Sequence, residues 1–153
     1  MSHFRMFLAI FFCITSLGFA QNRMVVQAES GTFSSGTKVE TEYSGYTGSG
    51  YVNTNNAVGA FIEIEFSVKN GGADTIWVYY AMSKSDDRSA SVYLNNEQVV
   101  ASLAFPSTGS YTTWKAVSFV LNLNKGTNKL RLVALSSNGL SNIDRFEISD
   151  EEG

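Results

Sequence analysis

The segment from Ala60 to Val68, AFIEIEFSV, alternates without a break. Ala60, Ile62, Ile64, Phe66 and Val68 fall on one side, and Phe61, Glu63, Glu65 and Ser67 on the other. A period of two marks a strand with one face in a core and one in water. No stretch beyond residue 20 keeps a helical period for three turns. Residues 75–82 (TIWVYYAM) are apolar on both faces, as the central strand of a two-sheet stack would be. Further strands are expected near 24–29, 37–42, 89–94, 97–103, 113–123, 128–135 and 143–149. Turn residues punctuate them: Asn70-Gly71-Gly72, Asn95-Asn96, Pro106 to Gly109, Lys125-Gly126 and Asn138-Gly139. About nine short, evenly spaced strands predict an all-β fold, a β-sandwich or jelly roll of antiparallel sheets.

Residues 1–20, MSHFRMFLAIFFCITSLGFA, have the form of an export signal. Arg5 and His3 give a positive start, Met6 to Leu17 an apolar run, and Gly18 and Ala20 small residues ahead of a cleavage point at Gln21. The run is too short to span a bilayer and polar sequence follows at once. Residues 21–149 are then read as one domain and 150–153 as a tail, and a secreted or periplasmic location with no membrane partner is expected. The single His (His3) and single Cys (Cys13) both lie in the leader. The mature domain would therefore lack the imidazoles and thiols that Ser-His-Asp or Cys-His catalysis, zinc sites and disulfides require. Any metal would have to be held by oxygen, which points to calcium. A net charge of −3 without a Lys/Arg cluster speaks against a nucleic-acid partner.

Glycoside hydrolysis needs two carboxylates across the scissile bond. Glu63 and Glu65 sit on the outward face of a regular strand, and Asp86 and Asp87 in a polar turn, so these read as solvated charges. The spacing GYTGSGY lacks the strand-to-helix context of a phosphate loop. The segment 43–59 (YSGYTGSGYVNTNNAVG) is more informative. It brings three tyrosines into Gly/Ser-rich sequence, and Tyr111 has the same setting. Aromatic rings in loops can cover the C–H face of a pyranose, and amides such as those of Asn53, Asn55, Asn56, Asn138 and Asn142 can bond its hydroxyls.

The pieces VQAESGT, YSGYTGSGYV, TIWVYYA, LNNEQVVASLAFPSTGSYTTW, LNKGTNKLRLVAL and SNGLSNIDRFEI occur in that order over roughly residues 25–149. Together they resemble carbohydrate-binding module family 6 and its neighbour family 35. The resemblance implies a sandwich that binds a polysaccharide or oligosaccharide without cleaving it, with a structural calcium near the two chain ends. The Gln and Glu of QAE and the Asp of NID would help hold that ion, here Gln27, Glu29 and Asp144. The sugar would lie between Tyr51, from the Gly-Tyr-Val piece, and Tyr111, from the Thr-Gly-x-aromatic piece. Asn142 would hydrogen-bond it, with Tyr46 and Asn138 as further contacts and Trp114 as core or ligand. Trp77 and Tyr79 share a strand face and would pack in the core or form a second site. Such modules are usually appended to a catalytic domain or act beside an enzyme, and a monomer is expected. A small hydrolase or lyase, or a protein-binding adhesion module, on the same fold are the alternatives.

Overall fold

The structure is a computed structural model and describes residues 22–149. The expected leader and tail lie outside the described residues. Eleven strands are present among the described residues: β1 (Arg23–Gln27), β2 (Thr32–Phe33), β3 (Lys38–Glu40), β4 (Tyr51–Asn53), β5 (Phe61–Val68), β6 (Gly72–Ala81), β7 (Ala90–Leu94), β8 (Glu97–Leu103), β9 (Lys115–Leu123), β10 (Gly126–Ala134) and β11 (Asn142–Ser149). One sheet runs β3-β4-β11-β6-β9, with β1 also paired to β11; the other runs β2-β5-β10-β7-β8. All pairings are antiparallel.

The nine expected strands are all found. The two that the pattern missed, β2 and β4, are two and three residues long. Neither is long enough to display alternation, and both exist through long-range pairing with β5 and with β3 and β11.

The alternation in β5 holds as read: Ile62, Ile64, Phe66 and Val68 are buried, and they meet Ile76, Val78 and Tyr80 of β6, Leu130 and Leu132 of β10 and Phe146 and Ile148 of β11 in one core. Burying apolar side chains of this size stabilises by about 1.5–3 kcal/mol each. On the outer face of β5, Glu65 is exposed, 3.9 Å from Lys129, as expected of a solvated charge, whereas Glu63 is half-buried and paired with Arg131 at 2.8 Å.

Strand β6 corrects one expectation. Trp77 and Tyr79 do not enter the core; they stand half-buried on the outer face of the β1/β11/β6/β9 sheet. The Arg23 guanidinium lies 3.6 Å from the centre of the Trp77 ring, and that of Arg145 lies 3.6 Å from the centre of the Tyr79 ring. The second apolar face of this strand is covered by guanidinium stems and cation–π contact rather than by another sheet.

Candidate functional site

The loops joining the sheets converge at the β4 end of the sandwich. Tyr111 is placed by Thr108, a buried residue whose backbone N–H donates to the Met82 carbonyl at 2.7 Å, while its hydroxyl oxygen accepts from the Met82 N–H at 3.0 Å. The segment after Pro106 is thereby sewn to the end of β6. Asn142 opens β11 opposite Ala81. The chain before it is braced by Arg88, whose Nη1 donates to the carbonyls of Asn138 (2.6 Å) and Leu140 (2.8 Å).

Between these segments lies a cleft of about 360 Å³, whose lining includes Lys38, Glu40, Tyr43, Asn53, Asn55, Arg88, Tyr111 and Asn142. Tyr43 and Tyr111 stack at 4.8 Å between ring centres, 20° from parallel. They present one continuous aromatic wall, beside which amides and charged groups form the remaining surface. Glu40 Oε2 accepts from Asn53 Nδ2 at 3.1 Å and from the Tyr51 hydroxyl at 3.4 Å, and Ser34 donates to Asn55 Oδ1 at 2.7 Å. These bonds hold the polar side chains in place before any ligand arrives.

The expected clamp of Tyr51 and Tyr111 is not formed. Tyr51 is 0% exposed. Its ring is enclosed by Tyr43 at 6.2 Å, Tyr46 at 5.8 Å and Trp114 at 5.4 Å. Burial, the largest effect, pushes its hydroxyl up to about 12. A sugar held between two rings needs roughly two contact distances between them, about 7–8 Å, and the Tyr43–Tyr111 pair is closed to 4.8 Å. Trp114 is pinned by a 3.0 Å bond from Nε1 to the Ser44 carbonyl. Gly45, at φ +99°, lies so close over the indole that a Cβ there would sit 2.8 Å from Cδ1, so only glycine fits. Tyr46, Trp114 and Asn138 are outside the cleft lining; Tyr111 and Asn142 are in it.

Sequence reasoning named Tyr43 among the loop tyrosines without placing it in the site. It did not single out Lys38, Glu40, Glu42 or Arg88 at all. A signal was available: Lys38, Glu40 and Glu42 recur at every second position of an expected strand, giving it one polar face. The Glu42 charge, then burial, raise the Tyr43 hydroxyl above its ordinary value.

Gln27, Glu29 and Asp144 are brought together beneath the loop 47–49. Asp144 is 0% exposed and accepts from the Thr47 N–H at 2.8 Å. The Thr47 hydroxyl lies 3.1 Å from Asp144 Oδ2 and accepts from Gln27 Nε2 at 3.1 Å. Glu29 Oε1 accepts from the Ser49 N–H at 2.8 Å. Gly48, at φ +69°, rests on the Gln27 and Glu29 side chains where a Cβ would stand. Glu29 Oε2 is buried with no hydrogen-bond partner, an orphaned anionic oxygen of the kind a cation satisfies. The set is two carboxylates and an amide; among the described residues no three His, Cys, Asp or Glu side chains converge. Hard oxygen donors of this kind suit calcium.

Beside Asp144, Arg145 and Arg23 both hold Glu147, at 3.0 Å each. Burial pushes the Glu147 carboxyl up, but the hydrogen bonds and charges of the two arginines outweigh it and keep the group below its ordinary 4.5. A depressed folded value stabilises the fold above the unfolded value, and that stability is lost as pH falls through the folded one. Stability should therefore decline below about pH 4.5. Denaturant titrations at stepped pH should show a shallower decline in Glu147→Gln; an unchanged slope would remove Glu147 from the acid response.

Comparison with known proteins decides the family. The sequence profile of the carbohydrate binding module (family 6) matches residues 27–150. The chain belongs to carbohydrate-binding module family 6. The module is also similar to solved family 35 modules. One from Clostridium thermocellum is 35% identical with a TM-score of 0.80, covering 83% of this chain and 97% of that one. Another, a Xyl-CBM35 solved with a glucuronic acid containing disaccharide, is 29% identical with a TM-score of 0.73, covering 82% and 91%. Among curated relatives, the exo-beta-D-glucosaminidase of Amycolatopsis orientalis is 33% identical over 122 residues, and endo-1,4-beta-xylanase B of Cellvibrio japonicus (strain Ueda107) 31% over 128. The matches cover 80% and 82% of this chain but only 12% and 21% of those enzymes. The module thus aligns with one part of much longer proteins.

Proposed function

We propose that the module is exported and holds a plant or algal cell-wall polysaccharide in the cleft beside Tyr43 and Tyr111 without cleaving it. The observation that carries this is the stacked pair forming one wall of a groove lined with amides. The outer ring surface covers the C–H face of a pyranose, while Asn142 and the Asn53–Asn56 amides bond its hydroxyls. A saccharide lies against the pair, not between two separated rings. Shallow sites of this type bind in the micromolar to millimolar range, about −4 to −8 kcal/mol. The fold and family of its relatives support the reading, as does the glucuronic acid containing disaccharide in one of them.

Affinity electrophoresis on xylan, β-glucan, agarose and pectic fragments tests it. At least one polymer should retard the wild type, and Tyr111→Ala and Asn142→Ala should lose most of that retardation. Retardation unchanged in both variants would move the site elsewhere. Glu40 and Glu42 also line the cleft, so sugar release from a retained polymer is the result that would favour a hydrolase or lyase. Absence of retardation on every glycan would favour a protein-binding adhesion module.

Gln27, Glu29 and Asp144 would hold a structural calcium, which supplies charge neutralisation for the buried carboxylates and clips the first and last strands together. Adding EDTA should lower the melting temperature by several degrees, and calcium should restore it. A melting temperature indifferent to both would discard the ion.

A further inference from the structure

We propose that Arg145 sets the calcium affinity of this module, as a built-in rival for the carboxylate of Asp144. The inference rests on reading Gln27, Glu29 and Asp144 as the calcium site and adds a residue that no part of that reading uses.

In a regular strand, consecutive side chains point to opposite faces. The β11 pairing with β6 shifts register between Ile143 and Arg145, so Asp144 has no partner there. Such a bulge re-aims the side chains beside it. Here Arg145 Nη1 reaches back to Asp144 Oδ2 at 2.7 Å. The guanidinium is not free to leave: its Nε donates to Glu147 Oε1 at 3.0 Å, and its plane lies over the Tyr79 ring. Glu147 is held in turn by Arg23, which lies over Trp77. A chain of paired charges and rings thus fixes a positive charge against one proposed metal ligand.

That charge has two opposed consequences. Without metal, it neutralises a fully buried carboxylate, whose isolation would be costly. With metal, it occupies a lone pair of Asp144 and repels a dication at close range. Calcium affinity in oxygen sites follows the charge count of the ligand shell, and Arg145 lowers that count by one. A purely structural arginine would weaken both states when removed. A rival makes them move in opposite directions.

The full chain, stripped of metal with EDTA, is titrated with calcium chloride by calorimetry and melted with and without calcium. Arg145→Gln should bind calcium at least tenfold more tightly than wild type, yet melt lower when metal-free. Arg145→Lys, which keeps the charge, should fall between the two. Calcium binding in wild type, with Arg145→Gln equal or weaker, overturns this proposal alone. No calcium binding by wild type and Arg145→Gln alike overturns the calcium reading and this proposal with it. If Arg145→Gln does not fold, the arginine Nε–Hε NMR signals of the wild type serve. The Arg145 signal should move on calcium addition more than those of Arg88 and Arg131, and an unmoved Arg145 signal overturns the proposal.

Discussion

Asp144→Ala is expected to destabilise the module by about 3–5 kcal/mol, the cost of removing one partner of a buried ion pair. Asp144 is 0% exposed, and it is where three segments meet: it accepts from Thr47 in the loop before β4, pairs with Arg145 in β11, and adjoins Gln27 at the end of β1 through the Thr47 hydroxyl. Alanine leaves the Thr47 N–H and part of the Arg145 guanidinium without their acceptor and removes a proposed calcium ligand. Arg145 keeps Glu147 as a partner, so the metal-free loss should lie toward the lower end, with the gap to wild type widening in calcium. Asp144→Asn keeps the shape and should lose less. Urea denaturation in EDTA and in calcium measures both; a loss under about 1 kcal/mol in either would mean that the chain ends are tied elsewhere.

The second large effect separates two tyrosines that look alike in sequence. Tyr51→Ala should cost about 3–5 kcal/mol of stability, as removal of a fully buried aromatic does, because the ring supports Tyr43, Tyr46 and Trp114 together. Tyr51→Phe keeps the ring and should lose much less, about 1 kcal/mol, for a hydroxyl that meets Glu40 at 3.4 Å and the Tyr43 backbone, and should bind saccharide like wild type. Tyr111→Ala should do the reverse, folding nearly normally while losing about 1–3 kcal/mol of binding, the worth of a stacked ring. Paired melts and affinity gels report both quantities. If Tyr51→Phe folds but fails to bind, the hydroxyl of Tyr51 touches the ligand and the cleft assignment must be redrawn.

The contrast between these tyrosines shows where sequence reading succeeds and where it stops. β5 was legible because eight residues alternate, and only one register puts Ile62, Ile64 and Phe66 inside. Asn142 and Tyr111 could be named because each matches a piece of the family resemblance, SNGLSNIDRFEI and the TGSYTTW segment. β4 was not legible: three residues inside a Gly/Tyr/Ser-rich segment carry no period, and it is the pairing of Val52 with Val39 and Ile143 that draws Tyr51 inward. Tyr43, in the same kind of sequence, stays at the surface because no strand pairing claims it. Trp77 and Tyr79 misled for a related reason. Apolar on both faces, β6 looked doubly buried, yet its outer rings are covered by Arg23 and Arg145, from strands far away in sequence.

Local sequence by itself determined that this chain builds two antiparallel sheets around a core of alternating aliphatic residues, because a period of two is written in neighbouring residues and needs no distant partner to be read. Which phenol faces solvent, which carboxylates meet beneath Gly48 and which guanidinium from the other end of the chain holds Glu147 were decided only by the tertiary structure. Each depends on segments far apart in sequence, more than a hundred residues in the case of Arg23 and Glu147, and contacts of that range leave no periodic trace in either segment.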